Sequence, residues 1–163
     1  MKSISTILST VLFAGMSVMA IGGDAPPEAV VTYASPTTSF YYTENESECL
    51  ENGGIEYNEG VCVVEVEDIV ELQKQNASNR YVVSVSTWGS NLHSCNFEGI
   101  GKLQGNQIIS RETSGFEDGQ YCTVAVNLID AETVNVVATG DDCRNFCGAR
   151  AWGLSIEEAK RKN

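Results

Sequence analysis

The chain has 163 residues and a formal net charge of −12, because 22 Asp and Glu residues outnumber 10 Lys and Arg residues. Such a balance repels nucleic acids and anionic membrane surfaces, and it attracts basic partners. The charge therefore argues against nucleic-acid binding, and the length is that of one ordinary domain.

The N-terminus has the pattern of a secretory signal peptide. Met1-Lys2 gives a short positive start, residues 4–19 are apolar or small, and Val18-Met19-Ala20 has the pattern of a cleavage site. The apolar run is shorter than the roughly 20 residues that span a bilayer, which favours cleavage over a retained anchor. We predict a signal peptide at 1–20 and a soluble, periplasmic or secreted mature protein.

All the cysteines follow the predicted cleavage site, and an even number in an exported chain indicates disulfides. Zinc binding that includes Cys143 and Cys147 is the alternative, but thiolate zinc sites usually contain Cys-x-x-Cys pairs. Because export favours oxidation, we expect three disulfides and no metal. The cysteines are Cys49, Cys62, Cys95, Cys122, Cys143 and Cys147.

Residues 21–43 hold all three prolines and many small polar residues, which predicts an extended N-terminal segment, partly disordered, ahead of a single domain at 44–163. The domain opens with an acidic region, 44–71, that has ten carboxylates and no Lys or Arg. These are Glu44, Glu46, Glu48, Glu51, Glu56, Glu59, Glu65, Glu67, Asp68 and Glu71. Such a region is either a solvated acidic face or a docking face for a cationic partner.

Within the acidic region, Cys49 and Cys62 flank a segment with two turn signals, Gly53-Gly54 and Asn58-Glu59-Gly60. A two-armed loop closed by a Cys49–Cys62 bridge is therefore predicted. From Glu67 to Gln75 the apolar residues fall close to helical spacing, which predicts a short helix.

From Tyr81 onward the apolar period changes to two, as in strands with one buried face. The repeating positions are Val83 and Val85, then Cys95, Phe97, Gly99, Gly101 and Leu103, then Cys122, Val124, Val126 and Leu128, then Val134, Val136 and Ala138. The chain ends with Ser155-Ile-Glu-Glu158, a capping-box pattern that predicts a last helical turn. The predicted fold is mainly β, a small antiparallel meander sheet or barrel with one or two short helices.

The order of strands also favours particular disulfides among the 15 pairings that six cysteines allow. Cys95 and Cys122 begin strands that an intervening strand separates by about 10 Å, too far for a bridge. Cys143 follows the strand that pairs with the one beginning at Cys122. We therefore favour Cys122–Cys143 and Cys95–Cys147.

No pattern in the sequence demands catalysis. His93 is the only histidine, and no Gly-x-Ser-x-Gly elbow accompanies it, which argues against a serine triad. Phosphate loops, Rossmann glycines and His-Glu-x-x-His are absent, so no cofactor is expected. A carboxylate pair remains an alternative route to glycoside hydrolysis, because the chain has so many carboxylates.

The predicted contact surface comes from two loops of the meander that rigid strands hold. The 88–94 loop offers Trp88, Asn91 and His93, and the 114–119 turn offers Ser114, Glu117 and Asp118. Trp88 is a suitable contact anchor, although a core position is its alternative. Strand order places both loops at one end of the sheet.

Three segments of the C-terminal half resemble exported bacterial proteins of the lysozyme-inhibitor type. They are Cys95-Asn-Phe-Glu-Gly99, Tyr121-Cys-Thr-Val-Ala-Val126 and Cys143-Arg-Asn-Phe-Cys-Gly-Ala-Arg-Ala151. The resemblance covers about 60 residues and leaves out 21–90. It implies a small β-rich domain that blocks a peptidoglycan hydrolase through a loop, as immunity proteins of toxin systems also do. Ser114-Gly115 and Tyr121 are similar to the inhibitors' loop motif, but the acidic Glu117-Asp118 departs from it.

We therefore expect a periplasmic inhibitor or immunity protein without enzymatic activity, whose partner is a basic peptidoglycan hydrolase. Lysozyme-like hydrolases are commonly basic because their substrate is anionic, and an acidic inhibitor would be steered to them. An envelope binding or structural module and a secreted carboxylate-pair hydrolase are the alternatives. Oligomeric state is left open, with a homodimer as one option.

Overall fold

The protein forms an eight-stranded antiparallel β-barrel with one additional strand, as the predicted fold class allowed. The computed structural model describes residues 29–76, 78–115, 119–151 and 153–163, and the predicted signal peptide lies outside them. The strands are β1 (Val30–Tyr42), β2 (Gly54–Asn58), β3 (Val61–Lys74), β4 (Arg80–Trp88), β5 (Ser94–Gln104), β6 (Gln107–Glu112), β7 (Cys122–Leu128), β8 (Thr133–Thr139) and β9 (Ile156–Arg161). The helical elements are α1 (Glu46–Glu51) and two 3₁₀ turns, Ser90–Leu92 and Asp141–Phe146.

The barrel closes because the last strand returns to the first. From β3 to β9 each strand pairs antiparallel with the next, and β9 pairs with β1 at Tyr33–Arg161 and Ala34–Lys160. The pairing of β1 with β3 completes the ring. β2 stays outside this ring, on the edge of β3.

Alternating apolar side chains fill the barrel interior. The predicted two-residue period is confirmed in β4, β5, β7 and β8, and β6 shares it. The inward positions are almost fully buried: Val83, Val85, Phe97, Ile108, Val124, Val126, Val134 and Val136. Gly101 provides the space for Ile108, since a Cβ at Gly101 would lie 2.6 Å from Ile108 Cγ2. The interior is a packed core, as in small barrels of this strand number.

Two strands extend beyond the barrel and carry a smaller, second unit. β1 pairs with β3 from Val30 to Tyr42, whereas β4 pairs with β3 only from Ile69 to Lys74. The projecting parts of β1 and β3, together with α1 and β2, form what we call the acidic lobe, residues 36–67. Its small core consists of Cys49, Cys62 and Val64, with Tyr41, Tyr57 and Val66 packed against it.

The lobe corrects two expectations about the N-terminal half. The helix predicted from Glu67 to Gln75 is wrong, because β3 continues through these residues as far as Lys74. Val70 and Leu72, two residues apart, are both buried in the barrel. The extended segment expected at 21–43 includes β1, which is paired along its whole length. The folded domain therefore begins before Glu44.

The prediction of a C-terminal helical turn is also wrong, and a β-bulge in β9 accounts for the error. Ile156 and Ala159 are the buried residues of β9, and their spacing of three is typical of a helix. Ala159 pairs with Val134 and Ile156 with Val136, so β9 has one extra residue between the two pairs. The bulge gives a strand the apolar spacing of a helix.

The three predicted disulfides are confirmed, Cys49–Cys62 from the turn signals and the other two from strand order. Cys49–Cys62 lies in the acidic lobe, and Cys95–Cys147 and Cys122–Cys143 lie at the barrel rim where β5 and β7 begin. No cysteine is free. Three disulfides indicate an oxidising, extracytoplasmic compartment. No helix within the described residues has the length and apolar character that crossing a bilayer requires.

Candidate functional site

The two loops predicted to form a contact surface leave the barrel at the same rim. One follows β4 and the other follows β6, and these strands run in the same direction because each pairs antiparallel with β5. We call this end, where β4 and β6 finish, the upper rim. The acidic lobe projects from the same end, since the end of β1 contacts the loop after β4.

Hydrogen bonds hold the 88–94 loop against the lobe. The Leu92 backbone N–H donates to Ser39 Oγ at 3.1 Å, and Ser39 Oγ donates to the Gly89 carbonyl at 2.5 Å. Ser39 is almost fully buried. On the other side, Ser90 Oγ donates to the Arg150 carbonyl at 3.0 Å. The loop is therefore fixed on both sides.

The three predicted contact residues of this loop differ in what they offer. Trp88 is half-buried, and its backbone N–H donates to Asp68 Oδ1 at 2.8 Å. His93 is half-buried beside Gly148, where a Cβ would lie 3.0 Å from His93 Nδ1. Asn91 has a positive φ of 57°. Burial raises the pKa of Asp68, although the Trp88 hydrogen bond opposes the shift.

Ser114 serves the internal structure of the rim. Its backbone N–H and its hydroxyl donate to the two carboxylate oxygens of Asp142, at 2.5 and 2.6 Å. Asn145 Nδ2 donates to the same carboxylate at 2.7 Å. Asp142 is fully buried, and these hydrogen bonds, those of Ser114 first, lower the pKa of its carboxyl group. Glu117 and Asp118 lie outside the described residues.

The acidic lobe and the adjoining part of β3 carry the densest charge of the described surface. Nine of the ten carboxylates between Glu44 and Glu71 are exposed, and Asp68 is the exception. The sequence has no Lys or Arg from residue 21 to residue 73. Lys162, near the C-terminus, reaches this region and pairs with Glu67 at 2.5 Å. The field over the lobe is therefore negative, and Lys162 offsets it at Glu67.

Large apolar side chains are exposed within this charged surface. Tyr42 is 63 % exposed, Leu50 57 % and Ile55 54 %. Tyr42 also contacts Phe40 edge-to-face on the outer side of β1. Exposed aromatic and aliphatic side chains inside a polar surround are typical of protein-interaction surfaces.

A groove of about 400 Å³ opens where the lobe meets the upper rim. Its apolar walls are Tyr41, Val64, Val66 and Leu92, and Asn52 and Glu65 are its polar members. Sequence reasoning missed this groove. The available signal was the alternation Val64-Glu65-Val66-Glu67, which is that of a strand with one apolar and one acidic face.

The remaining chemistry of the described residues is limited. No group of three or more His, Cys, Asp and Glu side chains among them could hold a metal ion. The six cysteines are all used in disulfides.

Comparison with known proteins gives no matching family model, no matching characterised protein and no matching solved structure.

Proposed function

We propose that this protein is an exported binding protein that captures a basic partner protein on its acidic lobe. The observation that carries the proposal is the lobe itself, a disulfide-closed projection with exposed carboxylates, exposed Tyr42, Leu50 and Ile55, and no Lys or Arg of its own. Carboxylates steer a cationic partner, and buried aromatic and aliphatic anchors supply most of the affinity.

A binding role also fits the way the barrel is built. Its interior is filled by side chains such as Phe97 and Ile108. The barrel therefore suits the support of a binding surface better than the enclosure of a ligand. Two disulfides fix the upper rim from which the lobe projects. A rigid surface loses little conformational entropy on association, which favours affinity.

The partner class that we favour is a peptidoglycan hydrolase met in the periplasm. Disulfides indicate an extracytoplasmic compartment, and cell-wall hydrolases are basic proteins that work there on an anionic substrate. The proposed activity is inhibition, either of a lysozyme or of a hydrolase delivered by a rival cell. The chain would act by occupying the enzyme and would not itself turn over substrate.

Charge reversal on the lobe tests this proposal against a matched control. We expect Glu51→Lys, Glu56→Lys and Glu59→Lys together to weaken binding of a purified basic lysozyme by at least about tenfold, or 1.4 kcal/mol. The control carries Glu98→Lys, Glu157→Lys and Glu158→Lys, the same charge change on exposed positions of the barrel wall. Interferometry at low and at high salt measures both, and the difference should shrink with salt.

Three results would contradict the proposal. If the parent protein fails to bind any member of a panel of basic cell-wall hydrolases at low salt, the partner class is wrong. If the lobe and barrel reversals weaken binding equally, attraction depends on net charge alone and the lobe is not the contact surface. Turnover of peptidoglycan by the purified protein would favour a hydrolase instead.

A further inference from the structure

One edge of β3 has a gap between its two strand partners. β2 pairs with β3 up to Val64, and β4 pairs with it from Ile69 onward. Between them, Glu65, Val66 and Glu67 pair, within the described part of the chain, with β1 on the opposite edge only. At Asp68 the gap ends, because the Trp88 backbone N–H at the end of β4 donates to the Asp68 carboxylate. Alternate residues of this stretch direct their backbone N–H and C=O groups toward the gap. At about 3.3 Å per residue, the gap from Val64 to Asp68 is roughly 13 Å long.

The groove described above lies across this gap. Asn52, just before β2, lines one end, and Leu92, just after β4, lines the other. Val64 and Val66 of β3 form the floor, on the face that continues the barrel interior. The neighbouring residues Glu65 and Glu67 are exposed on the opposite face. The free edge therefore separates an apolar face from an acidic one.

The loop that presents Leu92 is held in an unusual backbone conformation. Asn91 and Leu92 are consecutive non-glycine residues with positive φ, 57° and 53°. Asn tolerates this region, whereas Leu rarely adopts it. The hydrogen bonds from Leu92 N–H to Ser39 and from Ser90 to Arg150 keep the turn in place. Leu92 nevertheless remains 41 % exposed, and strained positions of this kind cluster at binding sites.

A second unusual group lies in the wall of the same groove. The Tyr41 hydroxyl is buried and has no hydrogen-bond partner among the described residues. Buried polar groups are nearly always satisfied by protein or water, so this hydroxyl lacks an acceptor, which water or an incoming segment would supply. A carbonyl oxygen of an incoming segment is the acceptor that the position favours.

We propose that the gap between β2 and β4 binds a short extended segment of the partner protein, in which apolar residues alternate with Lys or Arg. Added to the edge of β3, such a segment places its apolar side chains beside Val64, Val66 and Leu92. Its basic side chains then lie on the other face, where Glu65 is exposed and Glu67 already pairs with Lys162. Strand addition gives affinity through main-chain hydrogen bonds and specificity through alternate side chains.

Charge decides between this occupant and a second copy of the chain. Another copy would bring the same carboxylates to the gap, and like charges facing each other across strands are destabilising. A segment in which apolar and basic residues alternate complements both the apolar and the acidic face of this edge. The inference rests on the proposed function, because it locates on the lobe the contact that captures the partner.

Synthetic peptides of alternating Lys and Leu residues test the site directly. We expect such a peptide to shift the amide resonances of Val64, Val66 and Leu92 in isotope-labelled protein and to slow amide exchange at Glu65, Val66 and Glu67. A peptide of alternating Lys and Ser has the same charge and should bind at least tenfold more weakly. A peptide of alternating Glu and Leu should not bind.

Matched variants then distinguish binding in the groove from nonspecific electrostatic attraction. Leu92→Asn keeps a residue that tolerates positive φ, and we expect it to weaken the Lys-Leu peptide at least tenfold. Ile100→Asn is the control, since Ile100 is 38 % exposed on the barrel wall. The affinity of this variant for the Lys-Leu peptide should stay within twofold of the parent's. Tyr41→Phe should weaken binding several-fold without lowering the melting temperature, because it removes only an unpaired hydroxyl.

Equal binding of the Lys-Leu and Lys-Ser peptides, or parental affinity in both Leu92→Asn and Tyr41→Phe, would overturn the strand-addition site. The proposed function would survive if the Glu51, Glu56 and Glu59 reversal still weakened lysozyme binding. Dimerisation of the free protein that Leu92→Asn abolishes would show that a second copy occupies the gap, and would also overturn the inference.

Discussion

The barrel and the acidic lobe share two strands but are stabilised in different ways. Among the described residues, the barrel core contains 17 buried apolar or cysteine residues, and the lobe core contains three, two of which are the disulfide cysteines. The same strand, β3, contributes Val70 to the first core and Val64 to the second. Apolar burial thus stabilises the barrel, whereas the lobe depends on one covalent bond and on its continuity with β1 and β3.

This difference explains where a binding surface can form. Burial of apolar area stabilises a domain by roughly 25 cal/mol per Å², so side chains inside the barrel are committed to stability. The lobe leaves Tyr42, Leu50 and Ile55 exposed and surrounds them with carboxylates. Surfaces that have not been used for folding are the ones available to a partner. Substitutions that destabilise one region at a time test this difference.

Removing the longest cross-link should have the largest effect. Cys95 and Cys147 are 52 residues apart in sequence, and closing a loop of that size stabilises the folded state by about 4 kcal/mol in the chain-entropy model. We expect Cys95→Ala with Cys147→Ala to lower the global free energy of unfolding by that amount. Denaturant titration followed by circular dichroism measures it, and an unchanged midpoint would show that packing around Phe97 and Phe146 alone fixes the rim.

The lobe disulfide should matter less to the whole protein and more to its own region. Cys49 and Cys62 are 13 residues apart, which corresponds to about 3 kcal/mol. With Cys49→Ala and Cys62→Ala, the lobe retains little buried apolar surface, so we expect 44–62 to open locally while the barrel stays folded. Hydrogen exchange resolved by mass spectrometry should show lost protection in 44–62 and parental protection in 122–139. Loss in both segments would mean that the lobe and barrel unfold as one unit.

The same two regions differ in how far sequence predicts structure. The meander from β4 to β8 was predictable, because Val83 and Val85, and Val124 and Val126, alternate with polar residues as strands with one buried face must. From that order the disulfides Cys95–Cys147 and Cys122–Cys143 also followed, since bridging requires cysteines at one end of neighbouring strands.

The errors lie where one strand serves two environments or loses its period. β3 keeps a period of two, with Val64, Val70 and Leu72 buried on one face. Asp68 interrupts that apolar face and Ile69 adds an apolar residue to the other, so the pattern around Val70 resembles helical spacing. In β9 the bulge imitates a helix. The groove was not predictable, because Leu92 and Val66 lie in distant segments of the chain. They line one groove because the pairing of β4 with β3 stops at Ile69. Local patterns predict strands, but they do not show where a partner strand stops.

The rim should also respond to acid, through Asp142. The folded pKa of Asp142 lies below its ordinary value of 3.8, because Ser114 and Asn145 donate hydrogen bonds to the charged form. The stabilisation is therefore fully present above about pH 4, and it is lost as the pH falls through the lower, folded pKa. Acid should therefore loosen the rim.

Asp142→Asn tests this assignment with Asp68→Asn as the control. The amide cannot accept hydrogen bonds on both of its terminal atoms, so we expect a lower melting temperature at pH 7, by less than either disulfide removal causes, and a flatter decline below pH 4. Burial raises the pKa of Asp68, so its charge opposes folding once the pH exceeds that raised pKa, and Asp68→Asn should leave the acid decline in place. Melting curves across the acid range measure all three proteins. A decline as steep in Asp142→Asn as in the parent would assign the acid sensitivity to carboxylates other than Asp142.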